Sequence, residues 1–197
     1  MIFDCDGTLA DTMPPHYVAW ASSLSKYGLE LDEDRFYSMG GWPTHKIIEL
    51  LAGERGMTLD VNEVAVQKEV EFVNILDQVT AIEPVVRIAR TYYGKLPLAV
   101  ATGGIRSVCE TILKHIDALH LFQTVVTADD VELHKPNPDI FLEAARRLDV
   151  PPANCLVYED TDPGIAAAKA AGMHYIDVRT FYRPRRITPL AEGTPPG

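Results

Sequence analysis

The sequence predicts an α/β fold in which a core of parallel strands and helices carries an inserted all-helical segment. Short apolar runs alternate with helical patterns over residues 96–178, which is typical of a parallel sheet with helices on its faces. Strand patterns are missing between residues 11 and 80, where helical patterns replace them. The length of 197 residues fits one compact core with a smaller inserted or appended unit.

Five strands are expected in the core. Residues 2–4 have the pattern of the end of a strand, and the other four strands are the apolar runs at 96–101, 124–128, 155–158 and 174–178. Helices should follow three of these runs. An apolar stripe predicts a helix just after Gly104. The next helix should open with Asn137 as its N-cap and Pro138 in its first turn, and Asp162 with Pro163 predicts a third that ends at Gly172.

The inserted segment contains three helical patterns, at residues 14–27, 44–55 and 62–76. We therefore expect an α/β core domain formed by residues 1–10 and 81–180, a helical cap formed by residues 11–80, and a C-terminal tail at 181–197. The tail is rich in proline, arginine and glycine, and this composition gives little reason to expect a packed element there.

Composition and charge exclude several functional classes. The chain has 28 acidic and 18 basic residues, a net charge of −10, so it should repel nucleic-acid backbones and anionic membrane surfaces. It contains no 18-residue apolar run and no signal-peptide pattern, and we expect a cytoplasmic monomer. The three cysteines are far apart in sequence, which favours reduced core thiols over a metal or redox motif.

The strongest local motif is Asp4-Cys5-Asp6-Gly7-Thr8, directly after the first strand. Open α/β sheets bind their ligands at the carboxyl ends of strands. An ordinary Asp-Gly turn would explain Asp6 and Gly7 but not Asp4 or Thr8. Two carboxylates that are held apart can take different catalytic roles. One can attack an electrophile if a cation neutralises its charge, and the other, with a raised pKa, can donate and recover a proton.

A second acidic pair, Glu159-Asp160, follows the run at 155–158 and should lie at the same edge of the sheet. Together with Asp4 it offers the oxygen ligands that Mg²⁺ prefers. Without a cation, so many carboxylates at one edge would repel one another. The alternative is an acidic loop, and for Asp162 the preferred interpretation is a cap of the following helix.

Two further segments fit an anion site. Thr102-Gly103-Gly104 joins a strand to a helix, and glycines there allow backbone N–H groups and the helix N-terminus to approach an anion. Lys135 precedes a proline and is biased towards an extended conformation. A tight strand-to-helix turn and a surface lysine are the alternative interpretations of these two features.

Taken together, these motifs resemble those of the haloacid dehalogenase superfamily of hydrolases, in the branch with a helical cap inserted after the first strand (subfamily IA). The family's four motifs match in order at 4–8, Thr102, Lys135 and Glu159-Asp160, and the resemblance covers about residues 1–180. Within this branch the chain is most similar to fructose-1-phosphate and β-phosphoglucomutase-like phosphatases. The resemblance implies a Rossmann-like core and a Mg²⁺-dependent phosphatase acting on a small phosphorylated substrate, a sugar phosphate.

The resemblance also implies a role for each motif residue. Asp4 would attack phosphorus and form an aspartyl-phosphate, and Asp6 would act as general acid and base. The implied metal ligands are Asp4, the Asp6 carbonyl, Glu159 and Asp160. The implied phosphate ligands are Thr102, Gly103 and Lys135.

Substrate selection is expected to come from the cap. Residues 40–46 match the cap loop that faces the core site in the relatives, so His45 and Lys46 are candidate substrate contacts. A solvated first helical turn is the alternative for both. His16 matches a position near the cap hinge and is the third candidate.

Two other functions fit the same residues. A sugar-phosphate mutase of the β-phosphoglucomutase type differs only in whether water or a second sugar hydroxyl accepts the phosphoryl group. A non-catalytic or phospho-acceptor binding protein on the same fold would bind Mg²⁺ without turnover.

Overall fold

The computed structural model describes residues 1–187 of the chain. Within this range the strands are β1 (Ile2–Phe3), β2 (Ala10–Asp11), β3 (Thr80–Ala81), β4 (Ala99–Ala101), β5 (Thr124–Val126), β6 (Leu156–Glu159) and β7 (His174–Asp177). The helices are α1 (Met13–Ser25), α2 (Glu33–Ser38), α3 (Thr44–Glu54), α4 (Val61–Asn74), α5 (Glu83–Tyr92), α6 (Arg106–His115), α7 (Asp139–Leu148) and α8 (Asp162–Ala170).

Five strands form one parallel sheet with the order β5-β4-β1-β6-β7. The predicted α/β class and the five predicted core strands are confirmed. Strand β1 has only two residues, yet it lies at the centre, with Ile2 opposite Ala99 on one side and Val157 on the other. Both of its side chains are fully buried, which explains why so short a strand holds its place.

The two residues of β1 point to opposite faces of the sheet, as the period of a strand requires. Ile2 packs in a cluster that includes Phe141 of α7 and Ala167 of α8. Phe3 packs in a second cluster that includes Val85 of α5 and Ile112 of α6. The sheet is therefore covered by helices on both faces.

Helices α1 to α4 share a third hydrophobic cluster, which includes Trp20, Phe36, Ile48 and Val64. The chain enters this helical part from β2 and leaves it through β3, and these two strands pair antiparallel with Ala10 opposite Ala81. The sequence patterns predicted neither this strand pair nor helices α2 and α5.

Two predicted helix caps are wrong. Helix α7 begins at Asp139 with Pro138 as its N-cap, and the Asn137 side chain instead donates to the His134 carbonyl at 3.0 Å. At the start of α8 the cap is Thr161, whose hydroxyl accepts from the Gly164 N–H at 3.1 Å. Asp162, the predicted cap, is instead the first residue of α8. Threonine and aspartate are both good caps, and the path of the preceding chain decides which residue is used.

Residues 181–187 of the tail pack against both parts of the molecule, contrary to expectation. Tyr182 packs on the core and donates to Asp11 Oδ2 at 2.5 Å. The Arg186 guanidinium contacts Asp34 and lies 4.6 Å from the centre of the Tyr37 ring. Proline and arginine lack the apolar periodicity that marks a packed element, so the sequence did not reveal these contacts. Residues 188–197 lie outside the described range.

The three cysteines, Cys5, Cys109 and Cys155, are buried and free, as predicted. None of the helices described between residues 1 and 187 is long and apolar enough to cross a membrane.

Candidate active site

The sequence motifs lie at one edge of the sheet because the strands run parallel. Asp4 directly follows β1 and donates its backbone N–H to the Tyr158 carbonyl of β6 at 3.0 Å. Thr102 directly follows β4 and donates its N–H to the Val126 carbonyl of β5 at 3.0 Å. Glu159 is the last residue of β6. The carboxyl ends of parallel strands all face the same way, so these three residues lie at a common edge.

Lys135 joins two of the carboxylates. Its Nζ lies 2.6 Å from Asp4 Oδ1 and 2.7 Å from Glu159 Oε2. All three side chains are less than a tenth exposed. Burial raises the pKa of Asp4 well above its usual value, although Lys135 opposes this effect. The two carboxylates outweigh the effect of burial on Lys135 and raise its pKa, so the ammonium stays charged.

Three carboxylates form a group that fits a hard cation. Oxygen atoms of Asp4, Glu159 and Asp160 lie within 4.8 Å of one another. Burial, followed by repulsion from Glu159, raises the pKa of Asp160 to about 8. Its Oδ1 accepts a hydrogen bond from the Thr8 hydroxyl at 2.8 Å. With all three carboxylates ionised, the group would hold more negative charge than Lys135 compensates, and a divalent cation with oxygen ligands would relieve that repulsion.

Two glycines allow this close packing of acids. Gly7 has a φ of +80°, and a β-carbon there would overlap the Asp160 carboxylate. A β-carbon on Gly164 would overlap the carboxyl group of Glu159. The absence of a side chain at each position leaves room for a carboxylate.

Asp6 is held by hydrogen bonds on the side of the helical insert. Its Oδ1 accepts from the Thr12 hydroxyl at 2.7 Å and lies 3.2 Å from His16 Nε2, while Oδ2 lies 3.4 Å from the Thr102 hydroxyl. Burial alone would raise the pKa of Asp6, but the contacts with His16 and Thr12 and the nearby charge of Lys68 lower it to about 2. The expectation of a raised pKa is therefore wrong for the protein without substrate.

His16 contacts the site through Asp6. Its ring stacks on Phe72 of α4 with 3.8 Å between ring centres. Burial and then Lys68 lower the pKa of His16, which favours a neutral ring at neutral pH. Nδ1 of the ring is buried and has no hydrogen-bond partner among the described residues.

One cavity contains most of the residues singled out from the sequence. Its lining includes six of them from the core, together with His16 from α1: Asp4, Asp6, Thr102, Gly103, Lys135 and Glu159. Asp160 lies beside this cavity, with a carboxylate oxygen within 4.8 Å of oxygen atoms of Asp4 and Glu159. The Thr102 hydroxyl also accepts from the Gly104 N–H at 3.1 Å, which shapes the turn that follows β4.

His45 and Lys46 are not part of the cavity lining. Both are exposed, and Lys46 Nζ lies 3.7 Å from Glu49. Thr44 and Ile47 of the same helix line the cavity instead. On α3 these two residues are three apart and share a face, so the two residues between them face solvent. The solvated alternative for His45 and Lys46 fits the structure better than the substrate-contact interpretation.

Sequence reasoning missed several polar residues of the site. Thr12 is fully buried against Asp6, and Lys68 and Glu69 of α4 line the cavity. Lys68 was detectable, because Val64, Lys68 and Phe72 follow one another at intervals of four residues and share a helix face. A lysine within an apolar stripe signals a buried cation.

Comparisons with known proteins identify the family of the chain. The family model described as haloacid dehalogenase-like hydrolase matches residues 1–178. The chain is 41% identical over 180 residues to fructose-1-phosphate phosphatase YqaB of Escherichia coli (strain K12), covering 91% of this chain and 95% of the relative. It is 30% identical to a phosphorylated carbohydrates phosphatase of Thermotoga maritima, covering 89% of this chain and 82% of the relative.

Among solved structures, the chain matches the crystal structure of β-phosphoglucomutase from Clostridium difficile with a TM-score of 0.78 and 24% identity. The match covers 89% of this chain and 82% of the other, and it supports the fold. The two curated relatives above are named phosphatases. The predicted enzyme class, a phosphoric monoester hydrolase, is confirmed. The chain belongs to the haloacid dehalogenase-like hydrolase family.

Proposed function

We propose that this chain is a Mg²⁺-dependent phosphatase that hydrolyses small phosphate monoesters of sugars through an aspartyl-phosphate on Asp4. The observation that carries the proposal is the contact of Lys135 with both Asp4 and Glu159, next to the Asp160 carboxylate. Thr102 and Asp6 line the same cavity as these groups. The name of the relative at 41% identity supports a sugar phosphate as substrate.

The phosphoryl group would lie between Asp4 and the turn after β4. The Thr102 hydroxyl, the Gly103 N–H and the Lys135 ammonium are donors that suit its oxygen atoms. Lys135 also holds the Asp4 carboxylate in one position. An oriented nucleophile loses little freedom on reaching the transition state, which lowers the barrier.

Asp4 would attack phosphorus as the alcohol leaves, and water would later hydrolyse the aspartyl-phosphate. Asp6 would donate a proton to the leaving alcohol and take one from the attacking water. The low pKa of Asp6 in the free protein reflects its contacts with Thr12 and His16. A bound phosphate dianion would repel the ionised form of Asp6 and so raise this pKa towards the range that an acid catalyst needs.

Asp4, Glu159, Asp160 and the Asp6 carbonyl would hold Mg²⁺, with Glu159 acting directly or through a water. Bound there, the cation would neutralise charge on the carboxylates and on the phosphoryl oxygens. The fit of the oxygen donors and the raised pKa of Asp160 support this ligand set.

The experiment that tests the proposal measures phosphate release from fructose 1-phosphate, glucose 1-phosphate and 6-phosphogluconate, with and without Mg²⁺. Asp4→Asn should abolish turnover, and a chelator should do the same to the wild type. Asp117→Asn is the matched control, because the Asp117 side chain is 90% exposed. Chelator-resistant release, or full activity of Asp4→Asn, would contradict the proposal.

The same assay separates the other functions. Isomerised sugar without free phosphate would indicate a β-phosphoglucomutase-type mutase. Mg²⁺ binding without turnover of any ester would indicate a binding protein.

We also propose that residues 1–10 and 81–180 form the catalytic domain and that residues 11–80 form its cap. The β2–β3 pair at the junction supports this division. We propose in addition that the protein is a monomer and acts in the cytoplasm. The net charge of −10 argues against a nucleic-acid partner.

A further inference from the structure

We propose that Glu69, paired with Lys68, is a specificity-determining residue that binds hydroxyl groups of an uncharged sugar and disfavours substrates that carry a second anionic group. This inference rests on the proposed phosphatase function and concerns the part of the substrate that leaves as an alcohol.

The position of the pair supports this role. Lys68 and Glu69 are consecutive residues of α4 and line the same cavity as Asp4, Asp6 and Thr102. Lys68 lies close enough to Asp6 and His16 to lower the pKa of both. The pair therefore belongs to the wall that the helical insert contributes beside the reacting groups.

Both side chains have hydrogen-bonding capacity to spare. Lys68 Nζ donates to Glu69 Oε1 at 2.9 Å, and the Lys68 side chain is only 5% exposed. Its ammonium also lies over the rings of Trp20 and Phe72, at 5.7 and 5.6 Å. Glu69 Oε2 is buried and has no hydrogen-bond partner among the described residues. An ammonium has three N–H donors and a carboxylate oxygen two lone pairs, so an adjacent donor and acceptor are left for a ligand.

A sugar hydroxyl matches this arrangement. Its O–H can donate to Glu69 Oε2, and its oxygen can accept from Lys68. Buried polar groups without partners are costly, so a ligand that satisfies both gains affinity. A ligand without hydroxyl groups would leave both unsatisfied and would bind less well.

The charges in the cavity disfavour a second anion. The lining contains two lysines, and each already faces a carboxylate: Lys135 lies between Asp4 and Glu159, and Lys68 faces Glu69. Among the described lining residues there is no arginine. A carboxylate or second phosphate on the substrate would approach Glu69 without a free cation to offset the repulsion.

The test compares three kinds of phosphate ester in the Mg²⁺-loaded enzyme. Fructose 1-phosphate and glucose 1-phosphate have uncharged polyhydroxyl groups, 6-phosphogluconate and phosphoglycolate carry a carboxylate, and p-nitrophenyl phosphate has no sugar hydroxyl. We expect kcat/KM of the wild type to favour the sugar phosphates over the carboxylate esters by about tenfold or more, the size of one hydrogen bond to a charged group.

Glu69→Gln removes the charge and should reduce this preference by about tenfold, through a higher KM for the sugar phosphates and a lower KM for the carboxylate esters. Glu69→Asp keeps the negative charge, but its shorter side chain places the carboxylate farther from the sugar hydroxyl. This variant should lose affinity for the sugar phosphates while still rejecting the carboxylate esters. Glu71→Gln is the matched control, because Glu71 lies on the same helix and pairs with Lys26 away from the cavity lining.

Melting temperatures establish that each variant is folded. An unchanged ratio of sugar phosphate to carboxylate ester in both Glu69 variants would overturn the inference, as would a wild type that prefers the carboxylate esters. Hydrolysis of p-nitrophenyl phosphate separates the two proposals. If the wild type hydrolyses it with no preference for sugars, only the specificity inference fails, whereas loss of all ester hydrolysis refutes the phosphatase itself.

Discussion

Gly164 lies so close to Glu159 that a β-carbon on this glycine would overlap the Glu159 carboxyl group. Glu159 in turn accepts from Lys135 through one oxygen, and from the Thr161 hydroxyl and two backbone N–H groups through the other. The first turn of α8 therefore fixes a carboxylate of the active site, although it supplies no reacting group.

Gly164→Ala should displace Glu159 and disturb its contact with Lys135. We expect a loss of about 1–3 kcal/mol in the free energy of unfolding, the usual cost of forcing an atom into a packed site, and a large loss of kcat/KM. Chemical denaturation and steady-state kinetics measure the two effects.

Gly53→Ala is the control for this substitution. Gly53 is also helical, and a β-carbon there would meet no atom within 4 Å. Alanine should stabilise the protein by about 0.5 kcal/mol through its higher helix propensity and the lower entropy of the unfolded chain. Equal stability of the two alanine variants would refute the role given to Gly164.

Lys135→Met should remove the cation that lies between Asp4 and Glu159. We expect kcat/KM for a phosphate ester to fall by about 10²–10³, as for other preorganised donors at reaction centres. Lys114→Met is the control, since its ammonium is exposed and lies 3.9 Å from Glu110. A variant that keeps wild-type kinetics would show that Lys135 does not contact the phosphoryl group.

Asp130→Asn should make the free energy of unfolding depend less on pH under acidic conditions. Burial alone would raise the pKa of Asp130, but hydrogen bonds from Arg147 and from Thr127 lower it to about 2. A carboxylate with a lowered pKa in the folded state stabilises the protein above its unfolded pKa of 3.8, and this contribution disappears as the pH falls towards 2.

The difference in unfolding free energy between wild type and Asp130→Asn should therefore be constant near neutral pH and shrink steadily below about pH 4. Urea unfolding at a series of pH values measures it. Asp117→Asn, at an exposed position, should follow the wild type throughout. A difference that grows on acidification would contradict the assignment.

Tyr182→Phe should test the contact between the tail and β2. The substitution removes the O–H that donates to Asp11 Oδ2, while Asp11 Oδ1 is already without a partner in the described structure. Leaving this half-buried carboxylate without its donor should cost about 1 kcal/mol in unfolding free energy. Thermal and urea unfolding give the value, and Tyr93→Phe is the control because Tyr93 is 54% exposed. Equal stability of the two variants would mean that the tail does not brace β2.

Three of the motifs could be located from sequence because each of them directly follows or ends a strand of a parallel sheet. Asp4, Thr102 and Glu159 each stand at the end of a strand, and parallel strands present their carboxyl ends at one edge. The site on the helical insert could not be located in this way. A helix can turn any face towards the core, so residues 44–47 alone do not reveal that Thr44 and Ile47 face the cavity while His45 and Lys46 face solvent.

By itself the sequence determined the α/β class, the helical insert and the order of acidic, threonine and lysine motifs, since strand periodicity and short turns are local properties. Only the tertiary structure decided the low pKa of Asp6, the cavity that the buried Lys68 and its neighbour Glu69 line, and the hydrogen bond from Tyr182 to Asp11. Each of these depends on atoms distant in sequence, and burial and electrostatic interaction act through distances that no local pattern encodes.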